Sequence, residues 1–426
     1  TNYNVKRSLT SGGPYTIIAT SATTGYTDLM VTNGATYYYV VSALNGNGEG
    51  PNSVEVSAVP LSPLQAYLKF DESSGTNAAD STGNGWNGTL FNAPTWVAGY
   101  SNNAVNLSSS SSQYVTLPAG VVSTLPNITI AAWVNLATVA NWNRIFDFGT
   151  GTGNYMELTP QNGNNGKVRF AITTSGSGNE QQINSSSTLS LNTWHHVAVT
   201  INGSVGVLYV DGVAVGTNSS MTLNPTSLGN TTQNYIGKSQ FSDPYLNGQV
   251  DEFRIYSSAL TAGEVATLIT PLAAPSNLVA TSGDRQAALS WNAVTNAANY
   301  QVFRSLTSGG PYTPVCAVTA TNYTDSPLLN GTNYFYVVKA ANAVGSSANS
   351  TQVSARPVST TPPATVFAFT GNQLQLTWPV DHTGWRLQMS TNLSTANWLD
   401  VSGASATNQI SISATNANAF FRLVYP

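Results

Sequence analysis

The decapeptide RSLTSGGPYT occurs twice, at Arg7–Thr16 and at Arg304–Thr313. Each copy lies inside a longer gapless repeat, in which Asn2–Pro60 aligns with Asn299–Pro357 with over half the positions identical. Both copies continue through YTD, NG and a Y-x-YVV stretch and close on VSA-x-P. An internal repeat sets the parse of a chain before any single element is read. Short runs of alternating apolar and polar residues, bounded by Gly, Pro and Asn, form strands joined by turns, and several in a row build a β-sandwich. In the second copy Leu289 and Trp291, then Tyr300 and Val302, then Tyr334, Tyr336 and Val338 recur at period two. That spacing turns them to the inward side of successive strands, as core residues and not as a binding face.

The second copy resembles a fibronectin type III domain, through Trp291 on an early strand, the stretch NGTNYFYVVKAAN (Asn330–Asn342) and the closing strand before Pro357. The resemblance covers residues 1–60 and about 275–357. One departure matters. Pro275–Ala298 stand ahead of the matching point in the second copy and have no counterpart ahead of Asn2, so the first copy lacks two strands and the core tryptophan. A sandwich without them exposes an apolar face and a long sheet edge, and something outside it is expected to complete it. Either the missing strands lie upstream in a parent protein, or a neighbouring subunit donates a strand. Donation is a head-to-tail contact that generates rings or open filaments.

Between Pro63 and Pro271 the sequence changes to long Asn/Gly/Ser-rich loops between strands such as ITIAAWVNL (Ile128–Leu136), HHVAVTI (His195–Ile201) and VGVLYVDGVAV (Val205–Val215). Asn202-Gly203 and Asp211-Gly212 mark hairpin turns. YLKFDESSGTNAADSTGNGWNGTL (Tyr67–Leu90), NTWHHVAVT (Asn192–Thr200), LYVDGVAVG and NGQVDEFRIYSSALTAGEV (Asn247–Val265) together resemble the laminin-G-like, concanavalin A-like sandwich of secreted bacterial proteins, over about 64–270. The resemblance implies a structural Ca2+ ion tying the first and last strands, with Asp71 and Asp251 as ligands. Calcium takes six to eight hard oxygens, and Asp80 and Asn84 of the DSTGNG loop, carbonyls and water would complete the set. The alternative is that Asp71 caps a turn and Asp251 pairs with a basic side chain.

A sugar site needs flat aromatic faces for ring hydrogens and Asn, Asp or Gln for hydroxyls. Two loop sets have that chemistry: Trp142, Asn143 and Tyr155, and Phe241, Asp243 and Tyr245. The ordinary alternative is that these aromatics cover the core. Catalysis is not expected. Asp71-Glu72, Asp251-Glu252 and His195-His196 are adjacent pairs whose side chains face opposite ways on a strand, and no E-x-D-x-x-E, Gly-x-Ser-x-Gly or His-Glu-x-x-His arrangement accompanies them. His382 has only Asp381 beside it.

After Ser359–Pro363 the chain reads LQLTWP, TGWRLQMSTN, NWLDVSG and FFRLVYP, and resembles a small β-domain that ends many long secreted bacterial proteins, with Trp378, Trp385 and Trp398 expected in its core. Charged residues are 8% of the chain against about 25% in an average soluble domain, and the net charge of -4 is scattered. With no basic run or basic amphipathic helix, nucleic acid and membrane surfaces are not expected partners. The single cysteine, Cys316, excludes an intrachain disulfide and is expected in a core or edge position. No apolar run reaches the roughly 18 residues of a membrane helix, no signal segment opens the chain, and Thr1 is not a natural translation start.

The expected architecture is all-β, with four tandem β-sandwich units: a partial fibronectin III unit (1–61), a laminin-G-like jelly roll (62–270), a fibronectin III unit (271–358) and a small terminal β-domain (359–426). Short Pro-containing linkers at Leu61–Pro63, Pro271–Pro275 and Ser359–Pro363 are expected to be semi-rigid. The leading functional expectation is a secreted or cell-surface, non-catalytic protein that binds an extracellular polysaccharide through its laminin-G-like unit. The alternatives are a filament subunit assembled by self-association through the first copy, and the accessory tail of a polysaccharide-degrading enzyme.

Overall fold

The structure is a computed structural model that describes residues 2–31, 35–60, 62–394, 397–413 and 418–425. Thr1, the Asn33-Gly34 turn, Leu61 of the first linker and Pro426 lie outside the described residues. The protein is all-β, built of several separate antiparallel sheets. Its contacts cluster into two compact units, residues 60–271, and residues 1–59 with 272–426. No helix among the described residues is long and apolar enough to cross a membrane, which says nothing about a β-barrel.

In the 60–271 unit two eight-stranded sheets enclose one core. The first runs from Val213–Asn218 through Trp194–Asn202, Ile128–Thr138 and Asn247–Tyr256 to Thr95–Ala98, with Leu64–Leu68 pairing on Asn247–Tyr256. The second runs Gln181–Asn184, Arg169–Thr173, Asn154–Thr159, Phe146–Gly151, Gln233–Ile236, Tyr114–Leu117, Gly88–Phe91, Asn77–Ala78. Strand alternation is clear in the second sheet. Phe146, Phe148, Met156, Leu158, Phe170 and Ile172 join the core, so Asp147, Tyr155, Glu157 and Arg169 project from the opposite face. Asp211 and Gly212 occupy positive φ (49° and 78°) between paired Val210 and Val213, the two-residue turn expected there. At the other hairpin Asn202 pairs with Val205, so the turn falls on Gly203-Ser204, one residue later than expected.

In residues 272–358 a three-stranded sheet (Val279–Gly283, Gln286–Ser290, Asn322–Asp325) faces a four-stranded one (Thr313–Val318, Asn299–Ser305, Tyr334–Ala341, Val353–Ala355). Leu289, Trp291, Tyr300, Val302, Tyr334, Tyr336 and Val338 are all buried between them. Cys316 is a half-buried free thiol on the Thr313–Val318 strand. Residues 2–58 contribute the equivalent of the four-stranded sheet alone, ordered Thr16–Ser21, Asn2–Ser8, Tyr37–Asn45, Gly48–Asn52, with Val56–Ala58 also on Tyr37–Asn45. The terminal segment has two three-stranded sheets over Leu376, Trp378, Leu387 and Ala404. Trp378 and Trp385 are buried, but Trp398 is only half-buried, beneath the Arg422 guanidinium at 4.3 Å, and is not a core residue. Ser359–Pro363 is not a free linker: Ser359 is buried, its carbonyl accepts from Trp385 Nε1 (2.8 Å), and His382 Nε2 bonds the Thr361 carbonyl (2.5 Å).

Candidate functional site

The outer face of the second sheet carries a buried ionic network. Asp147 and Glu157 are direct cross-strand partners, and Arg169 stands opposite Thr159 on the next strand. The loop before Phe146–Gly151 brings in Arg144, whose Nε lies 3.5 Å from Asp147 Oδ2 and 3.4 Å from Glu157 Oε2, and whose Nη2 lies 3.2 Å from Asp243 Oδ2. Arg144 also donates to the Trp142 carbonyl. Arg144, Asp147 and Glu157 are at most 3% exposed. Burial pushes the Asp147 carboxyl up to about 7 and the Glu157 carboxyl up to about 8, against the opposing pull of Arg144. Asp147 Oδ1 and Glu157 Oε2 have no hydrogen-bond partner, while Asp147 Oδ2 accepts from the Gln240 N–H (3.0 Å).

Above this floor lies a cavity of about 370 Å³, and Trp142, Arg144, Tyr155, Arg169, Glu180 and Asp243 are among its lining residues, with Phe241 and Gln182 at its rim. Trp142 sits at positive φ (64°), its indole 5.3 Å from the Arg169 guanidinium. Gly163 makes that placement possible: a Cβ there would stand 2.4 Å from Trp142 Nε1, so only glycine lets the loops approach. Phe241 meets Tyr155 edge-on at 5.5 Å. Glu180 accepts from Tyr155 and Gln182 and faces Arg169 at 3.9 Å, while Asp243 accepts from Ser239 Oγ at 2.8 Å. Both lining carboxylates are thus tied to protein donors. The facing pair, Asp147 and Glu157, lies beneath the cavity and not in its lining.

Four of the six expected sugar-site residues, Trp142, Tyr155, Phe241 and Asp243, therefore meet in one cavity and not in two separate sets. Asn143 does not join them: it is 1% exposed, and its carbonyl accepts from Thr159 Oγ1 at 2.7 Å. Tyr245 stands apart, beside Tyr114 at 6.0 Å in an aromatic group with Tyr235 and Lys238. Arg144, Asp147, Glu157, Arg169 and Glu180 were missed by sequence reasoning. The signal for Asp147, Glu157 and Arg169 is one charge set between apolar residues on each of three neighbouring strands, in IFDF, YMEL and VRFA; Arg144 and Glu180 carry no such signal.

The four expected calcium ligands separate. Asp71 and Asp251 both meet the segment Gly99–Asn103: Asp251 Oδ2 accepts from the Ser101 N–H at 2.9 Å, and Asp71 Oδ1 approaches the Asn103 N–H at 3.4 Å. Asp251 is fully buried, its Oδ1 has no hydrogen-bond partner, and burial raises its carboxyl to about 7. An orphaned carboxylate oxygen, on a segment that a second carboxylate also bonds, fits a hard cation. Asp80 and Asn84 do not fit. Burial works against the Asp80 charge, but donors from Tyr67, Thr82 and Trp86 occupy both oxygens and hold it below the usual range, and Asn84 donates to the Gln65 carbonyl at 2.9 Å. Among the described residues no group of three or more His, Cys, Asp or Glu side chains is set to hold a metal.

One arrangement outside the cavity has the look of an acyl-transfer relay: Ser190 Oγ lies 2.7 Å from His195 Nε2, and His195 Nδ1 lies 2.8 Å from Asp211 Oδ2. The same aspartate also holds the hairpin. Asp211 Oδ1 accepts from the His196 N–H and the Asp211 N–H donates to the His196 carbonyl, which locks the turn at Asp211-Gly212.

Known proteins resemble parts of this chain. The amylopullulanase of Thermoanaerobacterium saccharolyticum is 39% identical over 72 residues, 17% of this chain and 6% of that protein. A solved S-layer domain-containing protein (residues 221–444) from Clostridium thermocellum is 40% identical, covering 48% of this chain and 99% of that one, with a TM-score of 0.27. Domain 4 of AbnA, an extracellular arabinanase from Geobacillus stearothermophilus, solved with arabinotriose, is 24% identical, covering 48% of this chain and 97% of that one, with a TM-score of 0.43. The chain spans a quarter or less of the length of the curated relatives it matches. Residues 108–266, which hold the whole cavity described above, match the laminin-G family described as the concanavalin A-like lectin/glucanases superfamily.

Proposed function

We propose that this chain is the non-catalytic binding part of an extracellular or cell-surface protein, and that the cavity beneath Trp142 takes an uncharged saccharide. The convergence of Trp142 and Phe241 with Arg169, Gln182 and Asp243 in one sugar-sized cavity, with the fully buried Tyr155 edge-on to Phe241, carries the reading. Aromatic faces suit ring hydrogens, and the polar groups suit hydroxyls. With Asp147 and Glu157 protonated near neutral pH, Glu180 and Asp243 balance Arg144 and Arg169, which leaves no net positive charge to draw an acidic sugar. The lectin/glucanase description of the matching family supports a carbohydrate partner. The short matches to amylopullulanases favour a second form of the same reading, an accessory region of a polysaccharide-degrading enzyme. A glycan array probed with the full chain tests both: saturable binding to neutral oligosaccharides is expected, weaker on sialylated ones. Silence across the array refutes the proposal.

We also propose that Ca2+ bound by Asp71 and Asp251 fastens the Gly99–Asn103 segment to the strand Asn247–Tyr256. An ion at about a hundred times its Kd contributes about 2.7 kcal/mol. Chelator is then expected to lower the melting temperature of the 60–271 unit by roughly 5–10 °C. An unchanged midpoint assigns both carboxylates to hydrogen bonding alone.

A further inference from the structure

The outer face of the second sheet continues past the cavity. Asp147 is the cross-strand partner of Tyr235, Tyr235 of Thr116, and Tyr114 of Phe91, so Tyr235, Tyr114 and Phe91 stand on the face that carries Asp147 and Glu157. Their strand neighbours Leu90, Val115 and Ile236 point the other way, into the core. Phe91 stacks on Tyr114 at 4.9 Å with 7° between the planes, Tyr235 meets Tyr114 edge-on at 5.7 Å, and Tyr245 lies 6.0 Å from Tyr114. Lys238 Nζ stands 4.5 Å and 4.4 Å from the Tyr114 and Tyr235 ring centres. Phe91 is 40% exposed, and Tyr114, Tyr235, Lys238 and Tyr245 are half-buried. Outward positions of such a sheet are ordinarily polar. Rings placed there add nothing to the core behind the sheet, and a contiguous exposed apolar patch marks an interaction surface.

We propose that Phe91, Tyr114, Tyr235 and Tyr245 form a second saccharide subsite, so that this face holds an internal stretch of a neutral polysaccharide chain and not a single terminal sugar. The inference rests on the saccharide reading of the cavity. One loop serves both places: Ser239–Tyr245 brings Phe241 and Asp243 to the cavity and Tyr245 to the ring cluster, with Lys238 just ahead of it. From the strand Asn154–Thr159 under the cavity to Gly88–Phe91 there are four strand steps, about 19 Å at about 4.8 Å each, which only a chain of several sugar units spans. Among the described residues the Lys238 ammonium has no carboxylate partner, and the hydroxyls of Tyr114, Tyr235 and Tyr245 bond no protein group. Rings suit the apolar faces of sugar units, and these polar groups suit their hydroxyls. An apolar protein surface is a poorer occupant, because it would bury the ammonium and three hydroxyls unpaired.

The test titrates the full chain with disaccharides and hexasaccharides of the α-glucan, β-glucan, xylan and arabinan series. In the series that binds, the hexasaccharide is expected to bind about tenfold or more tighter than the disaccharide. Tyr114→Ala and Phe91→Ala are each expected to weaken the hexasaccharide about tenfold and to leave the disaccharide unchanged. Both side chains point away from the core, and Phe91→Ala, at the more exposed position, carries the test if Tyr114→Ala lowers the melt. Trp142→Ala is expected to weaken both lengths. The inference fails, with the cavity reading intact, if the disaccharide binds and both ring variants hold the hexasaccharide as tightly as the unaltered chain. Loss in Phe91→Ala without loss in Trp142→Ala keeps this subsite and removes the cavity reading. Binding of neither length in any series removes both.

Discussion

Replacing Arg144 with leucine is expected to destabilise the 60–271 unit by about 3–5 kcal/mol at pH 8 and by far less at pH 6. At pH 8 the guanidinium is the cation shared by Asp147, Glu157 and Asp243, and removing it leaves charge buried without a counterion. At pH 6 the two fully buried carboxyls hold protons, since burial raises them to about 7 and about 8, and leucine then replaces a cation with little left to neutralise. The same shifts shape the unmodified protein. Asp147 and Glu157 have folded values above their unfolded ones, so the native state binds more protons, and stability fully present below about 4 is lost progressively as pH rises to about 7 to 8. His196 acts in the opposite sense. Burial lowers it to about 3, so below about 6.5 the unfolded state binds the extra proton, and this one imidazole offsets about half of the gain from the two carboxyls. The stability of the 60–271 unit is therefore expected to fall on net from pH 5 to pH 8, by about 2 kcal/mol between pH 6.5 and 8, roughly 4–8 °C in melting temperature. Calorimetry of both forms between pH 5 and 8.5 checks this. Equal destabilisation by Arg144→Leu at both ends of that range would remove the network from the account.

Trp142→Ala is expected to weaken the best array ligand about thirtyfold, close to 2 kcal/mol, through lost ring contact and stacking. The fold is expected to be untouched, because Trp142 is half-buried at a cavity wall, joins no core cluster, and its positive φ costs alanine no more than tryptophan. Titration calorimetry with the same ligand on both forms, alongside a melt, separates binding from stability. Phe241→Ala, on the facing loop, is expected to act in the same direction. Undiminished affinity in Trp142→Ala places the saccharide elsewhere.

The architecture was legible because its signals are local and repeated. The decapeptide pair, the period-two Tyr and Val of Tyr334–Val338, and Asp211-Gly212 each specify a strand or turn from a few neighbours. The site was legible only as residue types. Trp142, Tyr155, Phe241 and Asp243 were singled out, but nothing local says that loops about a hundred residues apart close over one sheet. Asp147, Glu157 and Arg169 read as ordinary outward polar positions of half-buried strands, and only the covering loop Ser239–Tyr245 makes them interior. Asn143 is shut away beneath the surface and Asn84 donates to the Gln65 carbonyl, and neither placement is written in the neighbouring residues. The two repeat copies match residue for residue in the alignment, but only the structure shows that Val41 is exposed where Val338 is buried and that Gly25–Asp28 forms no strand where Asn322–Asp325 does.

Arg144 is at once the keystone of the charged floor and a wall of the cavity, so folding and recognition draw on the same atom group. Ligand preference can then drift only at the margin, through Phe241, Gln182 or Asn164, where a change leaves the charge balance beneath undisturbed. A saturation library selected for solubility alone would show this division, with the margin permissive and the floor nearly invariant. Relatives retaining the floor could accept different sugars, and one that lost it would have to rebuild the sheet's whole outer face.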